Sequence, residues 1–594
     1  MILKAVIMKD FFKNVLASSL GVVIAFGAVF MFGIVMAVAV LSSGESSELK
    51  ENSVLFLDLD AELVERAEDN TLTTVFGDKF KSFGLDEVVA SVKEAKDNVN
   101  IKGIYLQAGA MSASAASLEE LRRELESFKE GGKFVVAYGD QYSQELYYLA
   151  SVADKVIVNP KGSISWHGLV AQPVFYKNLL EKLGVKMQIF KVGTYKSAVE
   201  PFIATEMSDA NREQVMEFMN DTWNGIAGAV SASRNIPMDR LNALADRYMG
   251  FRQAEEYVEC GLADTLLYKD GVLDYLKSLT GTKPDENLNM ATLEDVSAVV
   301  KRKKLQEGLK ADKIAVYYAF GGIDDAMSTD EGINSEKVIK ELRELREDKN
   351  VKAVVLRVNS PGGSAYGSEQ IWREMVLLKA AKPVVVSMGD YAASGGYYIS
   401  CAADCIVANS MTLTGSIGIF GMFPVAEELL KEKVGLAFDV VKTNRFSDLG
   451  SMARPFNKEE KEIMQQYIND GYSLFVQRCA DGRGMSVEDI CRIAEGRVWT
   501  GSRAKEVGLV DEIGGIDKAL EIAAQKAGLK EYAVYECPAV ENFMEALAGK
   551  DKDDYLESMA KGVLGDFYYD ANFIRNIRNC DPVQARLPFE LNIR

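Results

Sequence analysis

Two patterns of hydrophobic and polar residues divide this chain. The first is a run of 27 residues without a charge, residues 15–41. A run of this length can cross a bilayer with some tilt, so we predict a transmembrane anchor there. The preceding residues 1–14 carry Lys4, Lys9 and Lys13. Because lysine-rich flanks stay in the cytoplasm, we expect residues 1–14 there and everything beyond the anchor on the outer side. Cleavage of the apolar run as a signal peptide, near Ala-Val-Ala at 37–39, is the less favoured alternative.

The second pattern follows a polar tether, residues 42–53. Apolar runs of strand length alternate with longer amphipathic segments, beginning with Val-Leu-Phe-Leu-Asp-Leu at residues 54–59. Alternating strands and helices are typical of an α/β fold. We therefore predict an α/β protein behind the anchor.

This α/β region contains an internal repeat. Residues 100–168 align with residues 350–418 at a constant offset of 250 and without a gap. We therefore predict two copies of one fold, residues 54–285 and 313–539, joined by a linker, residues 286–312. Residues 540–594 form a tail that belongs to neither copy, and the sequence assigns it no role. Matching residues include Val135 and Val385, Gly139 and Gly389, Tyr147 and Tyr397, and Asp154 and Asp404.

The copies differ where a strand is expected to give way to a helix. In the second copy, the apolar run 383–388 leads into Gly389 to Tyr398, and helical spacing begins around Ser394. The first copy has Gln144 at the equivalent position. A serine at such a junction lies beside unpaired backbone N–H groups, which suits a nucleophile with an oxyanion site next to it. The alternative is a helix start whose small residues only pack against the strand.

A pair of glycines is the second difference. The second copy has Pro361-Gly362-Gly363 after a predicted strand, where the first has Met-Ser-Ala. Adjacent glycines can turn backbone N–H groups toward a carbonyl oxygen, and with the N–H of Gly395 they could form an oxyanion hole. A tight turn is the simpler interpretation of the glycines alone.

A lysine of the first copy is the third difference. When the copies are aligned on their Gly184 and Gly435, Lys196 lies opposite Ser447. A lysine buried away from water loses its proton more easily and can act as a general base. The alternative is a surface ion pair with Glu200, which would contribute little to stability.

The amino-acid composition limits the kinds of partner and active site that the chain can have. A net charge of −19 argues against a nucleic-acid partner. The chain has one histidine, His167, which stands in the copy without the serine. A Ser–His–Asp triad is therefore excluded unless His167 is its base. We expect His167 to have a structural role instead. The seven cysteines show no metal-site or disulfide-framework spacing. Neither a metal nor a cofactor is expected.

Four motifs together resemble the double-length bacterial form of the signal peptide peptidase A family, membrane-anchored serine proteases whose fold is related to Clp protease and crotonase. The resemblance covers roughly residues 10–535. The motifs are Gly-Thr-Tyr-Lys-Ser-Ala-Val-Glu-Pro-Phe at 193–202, Asn-Ser-Pro-Gly-Gly at 359–363, Ala-Ser-Gly-Gly-Tyr at 393–397 and Leu-Thr-Gly-Ser-Ile-Gly at 413–418.

The resemblance implies two tandem crotonase-like repeats and a serine endopeptidase with Ser394 as nucleophile and Lys196 as general base. It also implies a homotetramer in the bacterial inner membrane, with its catalytic part in the periplasm, that degrades signal peptides and other apolar peptides. The supporting residues that it implies are Ser416, which would orient the lysine, and the oxyanion-hole residues Gly362, Gly363 and Gly395.

Two other functions stay open at this stage. One is an acyl-CoA hydratase or hydrolase, because a fold does not determine function. The expected outward topology disfavours it, since CoA thioesters are cytoplasmic. The other is a membrane scaffold without catalytic activity.

Overall fold

The computed structural model describes residues 49–66, 82–308, 312–324, 332–539 and 583–586. The predicted basic N-terminus and anchor, residues 1–14 and 15–41, lie outside these ranges. Within the described ranges, no helix has both the length and the apolar character needed to span a bilayer. The chain divides into two compact units, Met1–Glu51 and Asn52–Arg594, and both predicted copies lie in the second unit.

The first copy alternates strands and helices. Its elements are β1 (Ser53–Leu59), β2 (Glu62–Val64), β3 (Ser82–Gly84), α1 (Leu85–Asp97), β4 (Ile101–Ala108), α2 (Ala115–Glu130), β5 (Phe134–Tyr142), α3 (Gln144–Ala150), β6 (Lys155–Ile164), α4 (Lys177–Leu183), β7 (Lys186–Lys191), α5 (Glu200–Ile203), α6 (Asp209–Arg234), α7 (Met238–Ala245), α8 (Ala254–Glu259), β8 (Thr265–Leu266) and α9 (Lys269–Thr280). The segment predicted as a linker contains β9 (Met290–Ala291) and α10 (Leu293–Glu307).

A parallel sheet forms the centre of the first copy, with strand order β8-β6-β5-β4-β1-β9. The linker therefore adds a strand to this sheet. Its helix α10 packs on α1, where Lys303 forms an ion pair with Glu94 at 2.6 Å.

The second copy repeats this plan. Its elements are β10 (Lys313–Phe320), α11 (Ser335–Glu347), β11 (Val351–Ser360), β12 (Gly362–Ser364), α12 (Ala365–Ala381), β13 (Val384–Ala393), α13 (Gly395–Ser400), β14 (Cys405–Ala408), β15 (Leu413–Gly415), β16 (Phe420–Val425), α14 (Lys458–Arg483), α15 (Val487–Ile493), β17 (Val498–Thr500), α16 (Gly501–Glu506), β18 (Glu512–Ile513), α17 (Ile516–Ala527) and β19 (Ala533–Cys537), and the described part of the tail forms β20 (Val583–Arg586).

The main sheet of the second copy has the order β17-β15-β13-β11-β10-β19, with β14 beside β13 and β18 beside β14. All of these pairs are parallel except that of β15 with β17. Parallel strands covered on both faces are buried throughout, which explains their nearly continuous apolar runs. The helices show the complementary pattern: α11 buries Val338, Leu342 and Leu345 on one face, and Asn334 caps its start by accepting from the N–H of Lys337 at 2.9 Å.

Equivalent interactions confirm the internal repeat. Strands β5 and β13 begin at Phe134 and Val384, which are 250 residues apart, as the sequence alignment predicts. Beyond the next helix of each copy, Asp154 and Asp404 each accept a bond of 2.8 Å from the start of these strands. The donors are the N–H of Val135, the second residue of β5, and the N–H of Val384, the first residue of β13. The tyrosines matched between the copies also share a role. Tyr147 donates to the carbonyl of Leu262 and Tyr397 to that of Leu509.

An antiparallel sheet joins the two copies. Its order is β12-β20-β16-β7, so it combines a strand of the first copy, two of the second and the tail strand. A buried charge cluster joins them a second time: the guanidinium of Arg357 lies 3.0 Å from carboxylate oxygens of both Glu65 and Glu120. Burial raises the pKa of Glu65 to about 7, although Arg357 opposes that shift.

Candidate active site

Ser394 lies at the junction of β13 and α13, as the sequence predicts. Its backbone has φ 55° and ψ −111°, a sparsely populated conformation for a residue with a side chain, which costs about 1–3 kcal/mol. Two backbone hydrogen bonds of 2.8 Å hold it: the Ser394 N–H donates to Gly415, and Tyr398 N–H donates to the Ser394 carbonyl. The side chain is fully buried. The serine backbone is thus fixed at the carboxyl end of a central strand, with its hydroxyl buried.

Lys196 of the first copy reaches this serine. Its Nζ lies 2.7 Å from Ser394 Oγ, 3.1 Å from Ser416 Oγ and 3.1 Å from the Ser416 carbonyl oxygen. The three predicted side chains therefore meet, although Lys196 and Ser394 are 198 positions apart in sequence.

The environment of the lysine amine favours its neutral form. Lys196 is 0% exposed, and burial holds its pKa well below the usual range because the charged form loses its hydration. The atoms that its amine contacts among the described residues belong to two serines, and none is a carboxylate. Among the residues that the structure describes, burial is thus the cause of the lowered pKa, and no carboxylate there offsets it.

The loop that carries Lys196 is held from the first copy. Gln214 on α6 donates to the Tyr195 carbonyl and to Ser197 Oγ, both at 3.0 Å. Glu200 points away from the lysine and accepts from Ser208 Oγ at 2.6 Å and from Asn211 at 3.0 Å. The alternative of a surface pair between Lys196 and Glu200 is therefore wrong.

Sequence reasoning missed the second contact of this loop, which comes from residues 495–497. Tyr195 N–H donates to the carbonyl of Glu495 at 2.9 Å. Gly496, with φ +78°, lies so close that a Cβ there would fall 2.7 Å from Lys196 Cα. A lone glycine is a weak sign of a turn, and no local pattern shows what that turn touches.

Ser416 is positioned by the same segment. Its N–H donates to the Arg497 carbonyl at 2.7 Å, and its φ of 49° is again unusual for a residue with a side chain. This conformation presents both the hydroxyl and the carbonyl of Ser416 to the lysine amine. Two strained serines thus face one lysine.

The predicted glycine pair adjoins the serine. Gly362 has φ +99°, and a Cβ there would fall 2.8 Å from the nitrogen of Gly395 and 2.0 Å from the carbonyl oxygen of Ala585 in β20. The N–H of Gly362 itself donates to Ser360 Oγ at 3.2 Å. Gly362 and Gly395 therefore lie close together beside Ser394, with the Ala585 carbonyl oxygen next to both, and Gly363 follows Gly362 in β12.

In the first copy, the position equivalent to Ser394 is occupied by Gln144. Gln144 is buried, and its amide oxygen accepts from the N–H groups of His167 and Gly168 at 3.1 and 3.0 Å. His167 stacks on Tyr248, with ring centroids 5.7 Å apart, and lies in this copy rather than beside Ser394. Over the described ranges, no group of histidine, cysteine and acidic side chains is arranged to hold a metal ion.

Comparison with known proteins agrees with this architecture. Residues 127–283 and 376–530 both match peptidase family S49, and residues 326–414 match Clp protease. Protease 4 of Haemophilus influenzae is 36% identical over 535 residues, which cover 87% of this chain and 86% of that protein. Protease 4 of Salmonella typhi is 37% identical, covering 85% and 83%. The chloroplastic serine protease SPPA of Arabidopsis thaliana is 33% identical, covering 77% and 69%. The chain therefore belongs to peptidase family S49 and carries the domain of that family twice, with a Clp-protease-like α/β fold.

Proposed function

We propose that this protein is a membrane-anchored serine endopeptidase that uses Ser394 as its nucleophile and Lys196 as its general base. The observation that carries the proposal is the contact of 2.7 Å between Lys196 Nζ and Ser394 Oγ, made where the amine is fully buried. A neutral amine at that distance can take the hydroxyl proton directly.

The hydrogen bonds of the amine fit this role. A neutral amine has two hydrogens and one lone pair. The two hydrogens can go to the Ser416 hydroxyl and carbonyl, both at 3.1 Å, which leaves the lone pair for the hydroxyl proton of Ser394. Ser416 is therefore a positioning residue, which acts through the lysine.

The reaction follows from these positions. Ser394 Oγ attacks the carbonyl carbon of the substrate while Lys196 takes its proton, and the oxygen of the tetrahedral intermediate becomes negative. We assign the backbone N–H groups of Gly363 and Gly395 to that oxygen, because the N–H of Gly362 already donates to Ser360 Oγ. The ammonium of Lys196 then protonates the leaving amine, and water, deprotonated by the same lysine, hydrolyses the acyl-enzyme.

The test is hydrolysis of a fluorogenic apolar peptide by the full chain. Ser394→Ala and Lys196→Ala should each lose about a thousandfold or more in kcat. Ser473→Ala, which replaces an exposed serine on α14, is the matched control and should keep full activity. Hydrolysis that survives Ser394→Ala would overturn the proposal.

We further propose that the substrates are remnant signal peptides and other apolar peptides. The support is the resemblance of the four motifs to the signal peptide peptidase A family, together with the expected anchor at 15–41, which would hold the site beside a membrane. A synthetic signal peptide should be degraded faster than a polar peptide of equal length. The acyl-CoA alternative predicts instead that coenzyme A thioesters bind the full chain and compete with the peptide.

The location and assembly are also proposals. We expect an inner-membrane protein whose residues beyond 50 face the periplasm, assembled as a homotetramer. Protease added to cells with a permeabilised outer barrier should digest the part beyond residue 50, and full protection would contradict the topology. Light scattering in detergent should give four times the mass of the 65.3 kDa chain.

A further inference from the structure

Arg497 lies where the lysine loop of the first copy, residues 193–197, meets the second copy. It directly precedes β17, which pairs with β15, and β15 pairs with β13, the strand that leads to Ser394. Its carbonyl accepts from the N–H of Ser416 at 2.7 Å. The backbone at Arg497 thus belongs to the framework that holds both serines contacted by the lysine amine.

The side chain of Arg497 contacts Tyr195, the residue before Lys196. Its guanidinium lies over two rings, 4.7 Å from the centroid of Tyr195 and 4.7 Å from that of Trp499. One nitrogen donates to the Tyr195 hydroxyl at 3.2 Å, and another donates to the carboxylate of Glu217 on α6. Aromatic faces attract a guanidinium, and the carboxylate fixes its orientation. One side chain of the second copy therefore holds both the lysine loop and a helix of the first.

The first copy lacks this arginine. The helices that follow the turn, α8 and α16, begin 247 residues apart, and at this offset Arg497 aligns with Gly250. The turn itself is kept, because the aligned residues Tyr248 and Glu495 have φ values of 50° and 54°. The arginine therefore stands only in the copy that receives the lysine loop.

We propose that Arg497 is a positioning residue, whose guanidinium docks the lysine loop onto the second copy and so keeps the amine of Lys196 beside Ser394. The inference rests on the proposed peptidase function. It adds to the dyad the side-chain contact that assembles it from two copies.

Other charged groups contact the lysine loop, although none of those in the described ranges contacts the amine itself. Lys191 donates to the carbonyl of Lys196 at 3.3 Å, and Glu495 accepts from the loop backbone at 3.4 Å. Glu213 accepts from the hydroxyl of Tyr195 at 3.4 Å. Burial, rather than any of these charges, is the cause of the lowered pKa of Lys196. The amine therefore owes its neutral form to the docked position of the loop.

Docking and protonation are linked. The amine of an undocked loop is in water and takes up a proton with the ordinary pKa of 10.5, whereas the docked amine is neutral. Each tenfold weakening of the docking equilibrium should therefore raise the midpoint of the pH–activity profile by about one unit, until it reaches the ordinary value. The plateau at high pH should not change, because there the loop is neutral and docked.

The first test is the pH profile of kcat/KM for a fluorogenic apolar peptide, measured with the full chain. Arg497→Ala should raise the midpoint by about one unit, so that activity below the midpoint falls about tenfold and recovers at high pH. Arg503→Ala is the matched control and should keep the wild-type profile. Arg503 also pairs with Glu217, at 2.9 Å, but its other nitrogen donates to Asp221 instead of binding the loop.

An unchanged midpoint in Arg497→Ala would overturn the inference, whether activity is kept or lost at every pH. Ser394-dependent hydrolysis in the same experiment would leave the peptidase proposal intact.

The aromatic partner provides a second variant. Tyr195→Leu removes the ring under the guanidinium and should raise the midpoint as Arg497→Ala does. The double variant should add little to either shift, because both substitutions remove one contact. Additive shifts would show that the two residues act separately, and would overturn the docking contact.

Hydrogen exchange at the backbone of residues 192–199 tests the docking without catalysis, since it reports local opening. Exchange should become about tenfold faster in Arg497→Ala and stay at the wild-type rate in Arg503→Ala. Equal rates in wild type and Arg497→Ala would overturn the inference. The expected difference in a chain that hydrolyses nothing would support the docking contact and overturn the peptidase proposal.

Discussion

At the scale of single residues, the unusual feature is a buried lysine whose amine has no acid among its contacts in the described part of the chain. The amine of Lys196 contacts Ser394 and Ser416, and burial alone lowers its pKa. The sequence drew attention to both residues, because each stands in one copy and is replaced in the other, and the resemblance to a known family implied their roles. It could not predict the strained backbones of the two serines, since a positive φ at a serine is imposed by neighbours such as the carbonyls of Gly415 and Arg497.

The first prediction concerns the pH dependence of activity. A general base must be unprotonated, so kcat/KM should rise with pH through the pKa of Lys196 and reach a plateau well below 10.5. Lys196→Arg should be inactive at every pH, because a guanidinium does not lose its proton in this range. The measurement is the pH–rate profile of both proteins. Activity of the arginine variant would mean that another group is the base.

The second prediction concerns stability. The folded-state pKa of Lys196 lies below that of the unfolded chain, 10.5, so between these values the unfolded state binds one more proton. The free energy of unfolding therefore rises with pH in this window, by about 1.4 kcal/mol per pH unit. Lys196→Met lacks this contribution, so its stability advantage over wild type should be largest near neutral pH and should shrink toward pH 10.

Urea denaturation at pH 7 and pH 9 measures this difference. The exposed Lys458→Met is the control, and it should follow the pH dependence of wild type. A Lys196→Met variant whose difference from wild type stays constant between the two pH values would show that the lysine is charged in the folded protein.

At the scale of elements, the strands and helices were predictable from hydrophobic patterning, because parallel strands buried on both faces leave a strong signal. Their repetition was predictable from residues matched at a constant offset of 250. The pieces that were not predicted are short. Strand β9 has two residues and β20 has four, and neither carries enough side chains to show a period. Both join their sheets through backbone pairing, which any sequence can supply. The turn at Gly496 was not predicted either, because its role depends on its contact with the backbone of Lys196.

The third prediction tests that turn. Gly496→Ala should push a methyl group into the backbone of Lys196, from which its Cβ would be 2.7 Å, and so move the amine away from Ser394. We expect kcat to fall at least tenfold with little change in KM. Gly484→Ala is the matched control: its φ of +63° gives a similar backbone strain of about 1 kcal/mol, but nothing lies within 4 Å of its Cβ. Equal activity of the two variants would show that the contact at Gly496 does not position the lysine.

At the scale of the whole molecule, the two copies form one site that neither can form alone. The loop with Lys196 is held by α6 of the first copy and by residues 495–497 of the second. Arg357 of the second copy is buried against Glu65 and Glu120 of the first, so separating the copies would break both ion pairs. The sequence showed that the serine and the lysine stand in different copies. Which surfaces meet could not be read from it, because the interface consists of side chains far apart in the chain.

The last prediction follows from this arrangement. Full-length Ser394→Ala and Lys196→Ala proteins are mixed under conditions that exchange subunits, and peptide hydrolysis is measured. Lys196 and Ser394 of one chain are in contact at 2.7 Å, so each variant lacks one half of every site that it forms, and mixing should restore no activity. A mixture of wild type with Ser394→Ala is the control, which should keep activity in proportion to the wild-type chains and show that exchange is harmless. If the two variants instead recovered about a quarter of wild-type activity, the lysine would have to reach the serine of a neighbouring subunit, and the single-chain site would be wrong.

The separate segments 54–285 and 313–540 should likewise be inactive, and activity of the second segment alone would contradict a lysine base supplied by the first copy.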